Sequence, residues 1–516
     1  MYQFSSKLKT FSFILMVVGA LGIGYGFLTT PKTTEDVEKI LKEQEAHHGG
    51  GHHEAHATAE HGSTAHAEES HANADASATT ISHEVKDTLT SKLHASEAHT
   101  SVDSTTVAHD SSVVAIAPVV SNDDSNHNEV VVTKAKEIAV DHAAEHKEHV
   151  EHVKHQLQNK PWSALYVACI FFMLIAVGAL AFYAIQWAAQ AGWSPIVFRV
   201  MEGVSSYLLP GSIIFFVLLL MAAFHVNNNH IFVWMDEEVV KNDHLIQGKS
   251  GFLNVPFFLI RAAIFLIGWN LYRFISRKNS IKLDETKDLS FFKKNYKAAA
   301  TFLVFFIVSE SIMSWDWIMS VDPHWYSTLF GWYVFASFFV SGITVITLIT
   351  LYLKSKGLLP QVNKSHIHDL AKFMFGISIF WTYLWFSQFM LMWYSDIPEE
   401  ITYFITRIEN YNLPFFGMVA MNFLFPLLIL MNADFKRLTW VIVMAGIVIL
   451  AGHYLDFYNM IMPATVGDQW FIGVSEISSV LFFLGLFIFV VFTSLTKTSL
   501  VSEGNPYIEE SKHFHY

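Results

Sequence analysis

Seven ionisable side chains stand inside apolar stretches, where each charge costs about 2.5–3.5 kcal/mol and so needs a partner or a task. They are His225, Arg261, Glu310, Asp316, His453, Asp456 and Glu476, with Gln388 and Asn422 as neutral polar company. His453 and Asp456 are spaced to share one helix face, and an imidazole beside a carboxylate is either a proton relay or a hydrogen-bonded strut. Glu310 falls near the middle of its stretch, where a carboxylate is either neutralised by burial or used to pass protons. Arg261 is a candidate counter-ion for Glu310 or Asp316, which would make those charges structural. Glu310, Asp316, His453, Asp456, His225 and Arg261 are therefore the candidates for a proton path or a quinone contact. No metal ligand set stands out among them. His225 and His453 are the two clearly intramembrane histidines, too few for the two histidine pairs of a cytochrome b core.

The elements that must position these groups are membrane spans. Of 516 residues, 52% are hydrophobic and 15% charged, a composition too apolar for soluble domains of this length. A helix crossing the hydrocarbon needs about 20 apolar residues. Ten stretches qualify, near 11–29, 162–189, 210–228, 254–276, 298–319, 329–353, 372–394, 414–432, 438–457 and 474–496. The expected fold is an all-α polytopic membrane protein of about ten transmembrane helices. Residues 1–30 read as a retained membrane anchor rather than a cleaved signal peptide, because the apolar core is long and lacks a small-x-small site before Pro31. Gly19, Gly22 and Gly26 there form a smooth face for helix contact. Residues 161–353 hold the first bundle and the start of the second, 354–500 the rest and the last span, and 501–516 a tail.

Basic residues are retained on the cytoplasmic side. Lys7, Lys9, the loop 273–297, Lys354, Lys356, Lys364, Lys436 and Arg437 fall on one side, against Lys241, Lys249 and Arg407 on the other. Both termini are thereby expected in the cytoplasm, in a multi-pass protein of the bacterial inner membrane. Most intramembrane polar groups then lie in the outer half, which suits proton exchange with the outer side.

Residues 31–160 are a different material. They hold 23 acidic against 10 basic side chains, 18 of the 27 histidines, and no aromatic residue other than histidine. Such a segment cannot bury a core and is expected to be disordered, a solvated periplasmic tether. The alternative is metal capture by His47, His48, His52 and His53, or by His142, His146 and His149. The formal charge of −13 is due to this segment, which argues against a nucleic-acid partner. The lone cysteine, Cys169, excludes an internal disulfide, a thiolate iron–sulfur cluster and a c-type haem attachment within this chain.

A repeat runs through the spans. Asn254-Val255-Pro256-Phe257-Phe258 opens the fourth and Asn412-Leu413-Pro414-Phe415-Phe416 the eighth. Asp316 and Pro323 close the fifth at the same interval as Asp456 and Pro463 close the ninth. Both matches are four spans apart, which implies two same-facing four-helix bundles, spans 2–5 and 6–9, flanked by spans 1 and 10.

The string SWDWIMSVDPHW over 314–325, running into Ser327-Thr328-Leu329-Phe330-Gly331-Trp332-Tyr333, resembles the second NrfD-like (polysulfide-reductase-like) membrane subunit of alternative complex III, the ActF type. So do the residues 249–254 with Arg261, and Leu455-Asp456-Phe457-Tyr458 leading to Met462-Pro463. The likeness covers roughly 160–500 in order, and its most specific part is Asp322-Pro323-His324-Trp325. It implies a subunit of a quinol:cytochrome c oxidoreductase of the respiratory chain, in which partners carry the metals. Those partners are a sister NrfD-like subunit, an iron–sulfur subunit, multi-haem c-type cytochromes and, downstream, a terminal oxidase. It also implies no covalently bound cofactor here, with a quinone such as menaquinone, or a lipid, as the bound species. The better-supported quinol pocket belongs to the sister, so the role implied for Glu310, Asp316, His453 and Asp456 is a proton path or a structural mount. Two other classes compete: a secondary transporter for a metal cation, prompted by the histidine segment and the helix repeat, and a self-sufficient quinol-binding module near His225 or His453.

Overall fold

A computed structural model describes residues 2–31, 33–48 and 127–515. Among them there is no strand, and ten helices are long and apolar enough to cross a membrane. The protein is an all-α polytopic membrane protein. The spans are 1 (Ser6–Leu28), 2 (His149–Ala188), 3 (Pro195–Ala223), 4 (Val255–Thr286), 5 (Leu289–Val321), 6 (Phe330–Ser355), 7 (Lys364–Ser395), 8 (Asn412–Leu430), 9 (Thr439–Val466) and 10 (Val474–Leu495). Spans 4, 6, 8 and 10 start at what is here termed the first face, and spans 3, 5, 7 and 9 end there.

Residues 33–154 form a unit of their own. Its described parts are helical. Thr34–His48 is a helix with Glu35 and Asp36 in its first turn, where acids complement the helix dipole. The second helical part opens the helix His127–Ala188. Residues 49–126, with His52 and His53, lie outside the described residues, as do the side chains of His47, His48 and His142; His146 and His149 are exposed.

In the ten-span body the two bundles are recognisable by their polar contacts. Tyr166 of span 2 donates to the Trp317 carbonyl of span 5 at 2.7 Å, Asn270 of span 4 to Ser212 of span 3 at 3.0 Å, and Trp269 of span 4 to Ser309 of span 5 at 2.9 Å. In the second bundle, side chains of spans 6, 7 and 8 converge on His453 and Asp456 of span 9. Spans 2 and 6 are the most enclosed, with 94% and 89% of their apolar windows buried. They cross where a Cβ at Gly178 would strike the Phe338 carbonyl and one at Gly342 the backbone of Gly178 and Ala179. Two glycines thus let the bundles meet backbone to backbone, the means by which membrane helices gain packing energy without a hydrophobic drive. Span 1 lies along span 10: Gly19 faces Phe482, Gly22 faces Ser478 and Gly26 faces Ser475.

Span 3 differs most from the sequence reading. Placed at 210–228, it in fact begins at Pro195 and ends at Ala223. Arg199 and Glu202 disguise its start, and they are buried as partners at 2.5 Å. His225 consequently lies beyond the span, in a left-handed turn at φ +48°. Asn254 caps span 4, accepting from the Phe257 N–H at 3.0 Å. Asn412 does not cap span 8; Tyr411 takes that position, because a helix over Pro398–Glu409 leads almost directly into it.

Candidate functional site

Asp316, at the last turn of the helix Leu289–Trp317, has no accessible surface. Arg261, two turns into span 4, grips it bidentately, Nε to Oδ2 at 2.6 Å and Nη2 to Oδ1 at 2.7 Å. The guanidinium also donates to the Phe252 carbonyl at 3.1 Å and lies 4.0 Å over the Phe252 ring. A forked pair of this kind is a structural unit, here with Arg261 Nη1 buried and without a protein partner. It settles Arg261 on Asp316 and, among the described residues, leaves Glu310 without a cation. Glu310, buried lower on span 5, has Oε2 near Ser311 Oγ at 3.1 Å and no partner for Oε1.

The loop after Asp316 is pinned at successive residues. Lys249 Nζ donates to the Pro323 carbonyl at 2.5 Å, and His324 Nε2 lies 2.5 Å from Asp243 Oδ2. Trp325 stacks on Tyr403 with ring centroids 4.2 Å apart. Asp243 is itself the cap of the helix His244–Lys249, accepting from Leu245 N at 2.9 Å and Ile246 N at 3.1 Å. The hydrogen bond from His324, and after it those backbone amides, hold the Asp243 carboxyl below the usual range. Burial lowers the Lys249 ammonium.

The second bundle repeats this plan with different chemistry. Arg407 sits five residues before Asn412, as Lys249 sits five before Asn254. It donates to the Asn459 carbonyl at 2.9 Å and the Tyr403 carbonyl at 2.8 Å, so each bundle ties its fourth helix end with one cation. The two asparagines also match, each Nδ2 donating four residues back, to Ser250 O at 3.1 Å and Ile408 O at 3.2 Å. Seven residues beyond Asn412, where span 4 has Arg261, span 8 has Val419. Asp456 therefore receives no guanidinium. Tyr333 of span 6 donates to its Oδ1, and Trp381 Nε1 of span 7 to its Oδ2 at 2.8 Å.

His453 is buried one turn below, its Nδ1 3.7 Å from Asp456 Oδ2, 2.9 Å from Ser337 Oγ and 3.4 Å from Asn422 Nδ2. Trp381 closes on the imidazole edge to face at 5.4 Å. Asn422 reaches this spot through a π-turn over Ala420–Leu424, opposite Gly452, where a Cβ would strike Asn422 Oδ1. Such turns interrupt helices mostly at functional positions.

Between this cluster and the first face lies a cavity of about 10 Å³, the room of one water molecule. Tyr333, Gln388, Arg407 and Asn459 line it. Gln388 Oε1 and Nε2, Asn459 Oδ1, Asn422 Oδ1 and His453 Nε2 are buried polar atoms without a protein partner, the setting in which internal water is normally held. His453 stands 13 residues before the end of span 9, about 20 Å at 1.5 Å per residue. The polar residues Arg407, Asn459, Gln388, Asp456 and His453 thus descend from the first face to mid-depth, and the buried residues of span 9 below them are apolar.

His225 joins a separate group in the loop. Its ring stacks on His230 at 5.0 Å, and His155 meets His230 edge on at 6.0 Å. Burial and then the His225 charge lower the His230 imidazole. Among the described residues no set of three or more His, Cys, Asp or Glu is placed to hold a metal ion.

Sequence reasoning joined His453 to Asp456 and placed Arg261 near Asp316, but missed Tyr333, Trp381, Ser337 and Arg407, whose convergence needs four helices. It also missed a buried ionic knot near the opposite face. There Glu202 accepts from Arg199 at 2.5 Å, Arg277 at 3.0 Å and Tyr183 at 2.9 Å, and Arg199 reaches Asp284. The one available signal was Arg199 three residues before Glu202 between apolar runs.

No protein-family model matches the chain, and no curated protein sequence matches it.

Proposed function

We propose that this chain is an integral membrane subunit of a quinol-oxidising respiratory complex of the alternative complex III type, in which it provides a mount and a proton path. The observation that carries the reading is the buried Asp456–His453 cluster: a carboxylate with hydrogen-bond donors and a neighbouring imidazole, joined by partnerless polar atoms to the first face, while buried hydroxyls of spans 6 and 7, Thr344 and Ser378 among them, continue from it toward the second. The resemblance of the 314–325 string, which comprises the end of span 5 and the pinned loop after it, supports the family. The basic loops on the second face make that face cytoplasmic and the proton outlet periplasmic. Electron carriers then reside in partner chains: a sister subunit of the same fold, an iron–sulfur protein and c-type cytochromes. In this arrangement Asp456 takes up and releases protons, Ser337 and Asn422 orient the His453 ring, and Arg261–Asp316 is a strut.

Two experiments test it. Purification of the native membrane complex should bring down haem c and iron–sulfur chains; a polypeptide that migrates alone sinks the assignment. In the purified complex Asp456→Asn, which keeps the shape of the site, should leave assembly intact and slow proton movement at least tenfold. Unchanged proton release on quinol oxidation would reduce the cluster to a strut.

A further inference from the structure

Span 3 runs into a turn that most side chains avoid. His225, Asn227 and Asn228 all have left-handed backbone, at φ +48°, +54° and +56°, a conformation disfavoured for any residue with a Cβ. The turn therefore needs ties. Trp162 donates to the Asn227 carbonyl at 3.1 Å, and Asn159 both donates to the His230 carbonyl at 3.2 Å and accepts from the His230 N–H at 2.9 Å. A further tie is the His225 ring, with Nδ1 3.3 Å from the Asn229 carbonyl and Nε2 3.4 Å from the Met235 carbonyl.

Carbonyl oxygens only accept, and a neutral imidazole donates from one nitrogen alone. Only the imidazolium satisfies both carbonyls. The groups on its other side are His230, stacked at 5.0 Å, then His155 and Asp236, the latter with Oδ2 3.8 Å from His230 Nδ1. Burial and the neighbouring charge disfavour a second proton on His230, so the ring that takes one is His225.

The far end of the segment has a similar device. After the turn come the short helices Glu237–Asn242 and His244–Lys249, and between them Asp243 meets His324 Nε2 at 2.5 Å. The other charges around His324 are Asp322 and Lys249, whose ammonium feels both acids. Protonation of His324 turns its hydrogen bond into a charged pair, the stronger form. His324 is half-exposed and His225 half-buried, so both exchange protons with the solvent.

We propose that residues 225–249 form a proton-tightened strap on the first face: protons taken up by His225 and His324 order this segment and the 319–328 loop, and their loss frees both. Acid on that face then also steadies the cavity beside Asp456, because Trp325, next to His324, stacks on its wall residue Tyr403. The strap rests on first-face contacts and stands apart from the respiratory reading.

The test is hydrogen exchange of the full chain in its native membrane assembly, peptide by peptide, each rate divided by that of the same peptide unfolded at the same pH. Protection over 225–236 and over 319–328 should rise about fivefold as pH falls from 8 to 6, where imidazoles ordinarily gain charge. His225→Gln should keep protection at pH 8 near the wild-type level and flatten the first rise alone. His324→Gln or Asp243→Asn should flatten the second alone, and His230→Gln should leave both in place. Protection in the wild type that is flat with pH overturns the proposal, as do rises that survive in the double variant His225→Gln with His324→Gln. A rise over 225–236 that His230→Gln abolishes assigns the proton to the wrong ring and overturns it too.

Discussion

At the residue scale, two aspartates at equivalent places in the two bundles have opposite characters. Asp316 is neutralised by a forked guanidinium, and Asp456 is held by a phenol and an indole. Removing one partner of a buried ion pair strands the other, at about 3–5 kcal/mol. Arg261→Met should therefore destabilise the detergent-solubilised protein by about that much, while Arg261→Met with Asp316→Leu recovers most of the loss. Thermal unfolding measures both, and a double variant no better than the single would show that the pair does more than match charge. Asp243 supplies a pH dependence. Its carboxyl is held low by His324 and the helix amides, so its stabilising contribution is complete above the unfolded carboxyl value of about 3.9 and fades as pH falls through the lower folded value. Hydrogen exchange over 319–328 should rise below about pH 4, and Asp243→Asn should raise it already at neutral pH.

At the element scale, glycines and one irregular turn decide which helices meet. Span 1 docks on span 10 through Gly19, Gly22 and Gly26 against Phe482, Ser478 and Ser475. Gly22→Leu should lift span 1 away, which a cysteine pair replacing Phe13 and Phe489, whose rings meet at 5.1 Å, would report as lost crosslinking; retained crosslinking would mean that the glycine face is incidental. The glycine face was legible because small residues at helical spacing leave a flat stripe in any register. The π-turn at Ala420–Leu424 was not: nothing in a single apolar run announces one wider turn, which exists because Asn422 must face Gly452 and His453. Span 3 was misplaced for a related reason, since Arg199 and Glu202 count as two charges in a hydropathy window and as one neutral pair in the fold.

At the scale of the whole molecule, the ionic knot near the second face binds spans 2, 3 and 4 to the segment that follows span 10. Arg277 reaches both Glu202 and Thr498, and Asp284 accepts from the Gly504 N–H at 2.7 Å. Glu202→Leu takes from Arg277 its carboxylate partner and leaves Arg199 with Asp284 alone in a buried site, at about 3–5 kcal/mol. It should expose the tail 496–515 to proteolysis before any span unfolds; simultaneous loss of both would show that the knot carries the fold rather than the tail. Span number, the alternation of faces and the two-bundle repeat followed from the sequence by itself, because the bilayer imposes a length and a hydropathy that each span must meet alone. The partners of those spans' polar groups were decided only by tertiary structure. Arg261 could have served either acid, Asp456 has donors from spans 6 and 7, and His453 is oriented from spans 6 and 8. A hydrogen bond between helices depends on rotation and depth, and a sequence in which many registers bury equally well constrains neither.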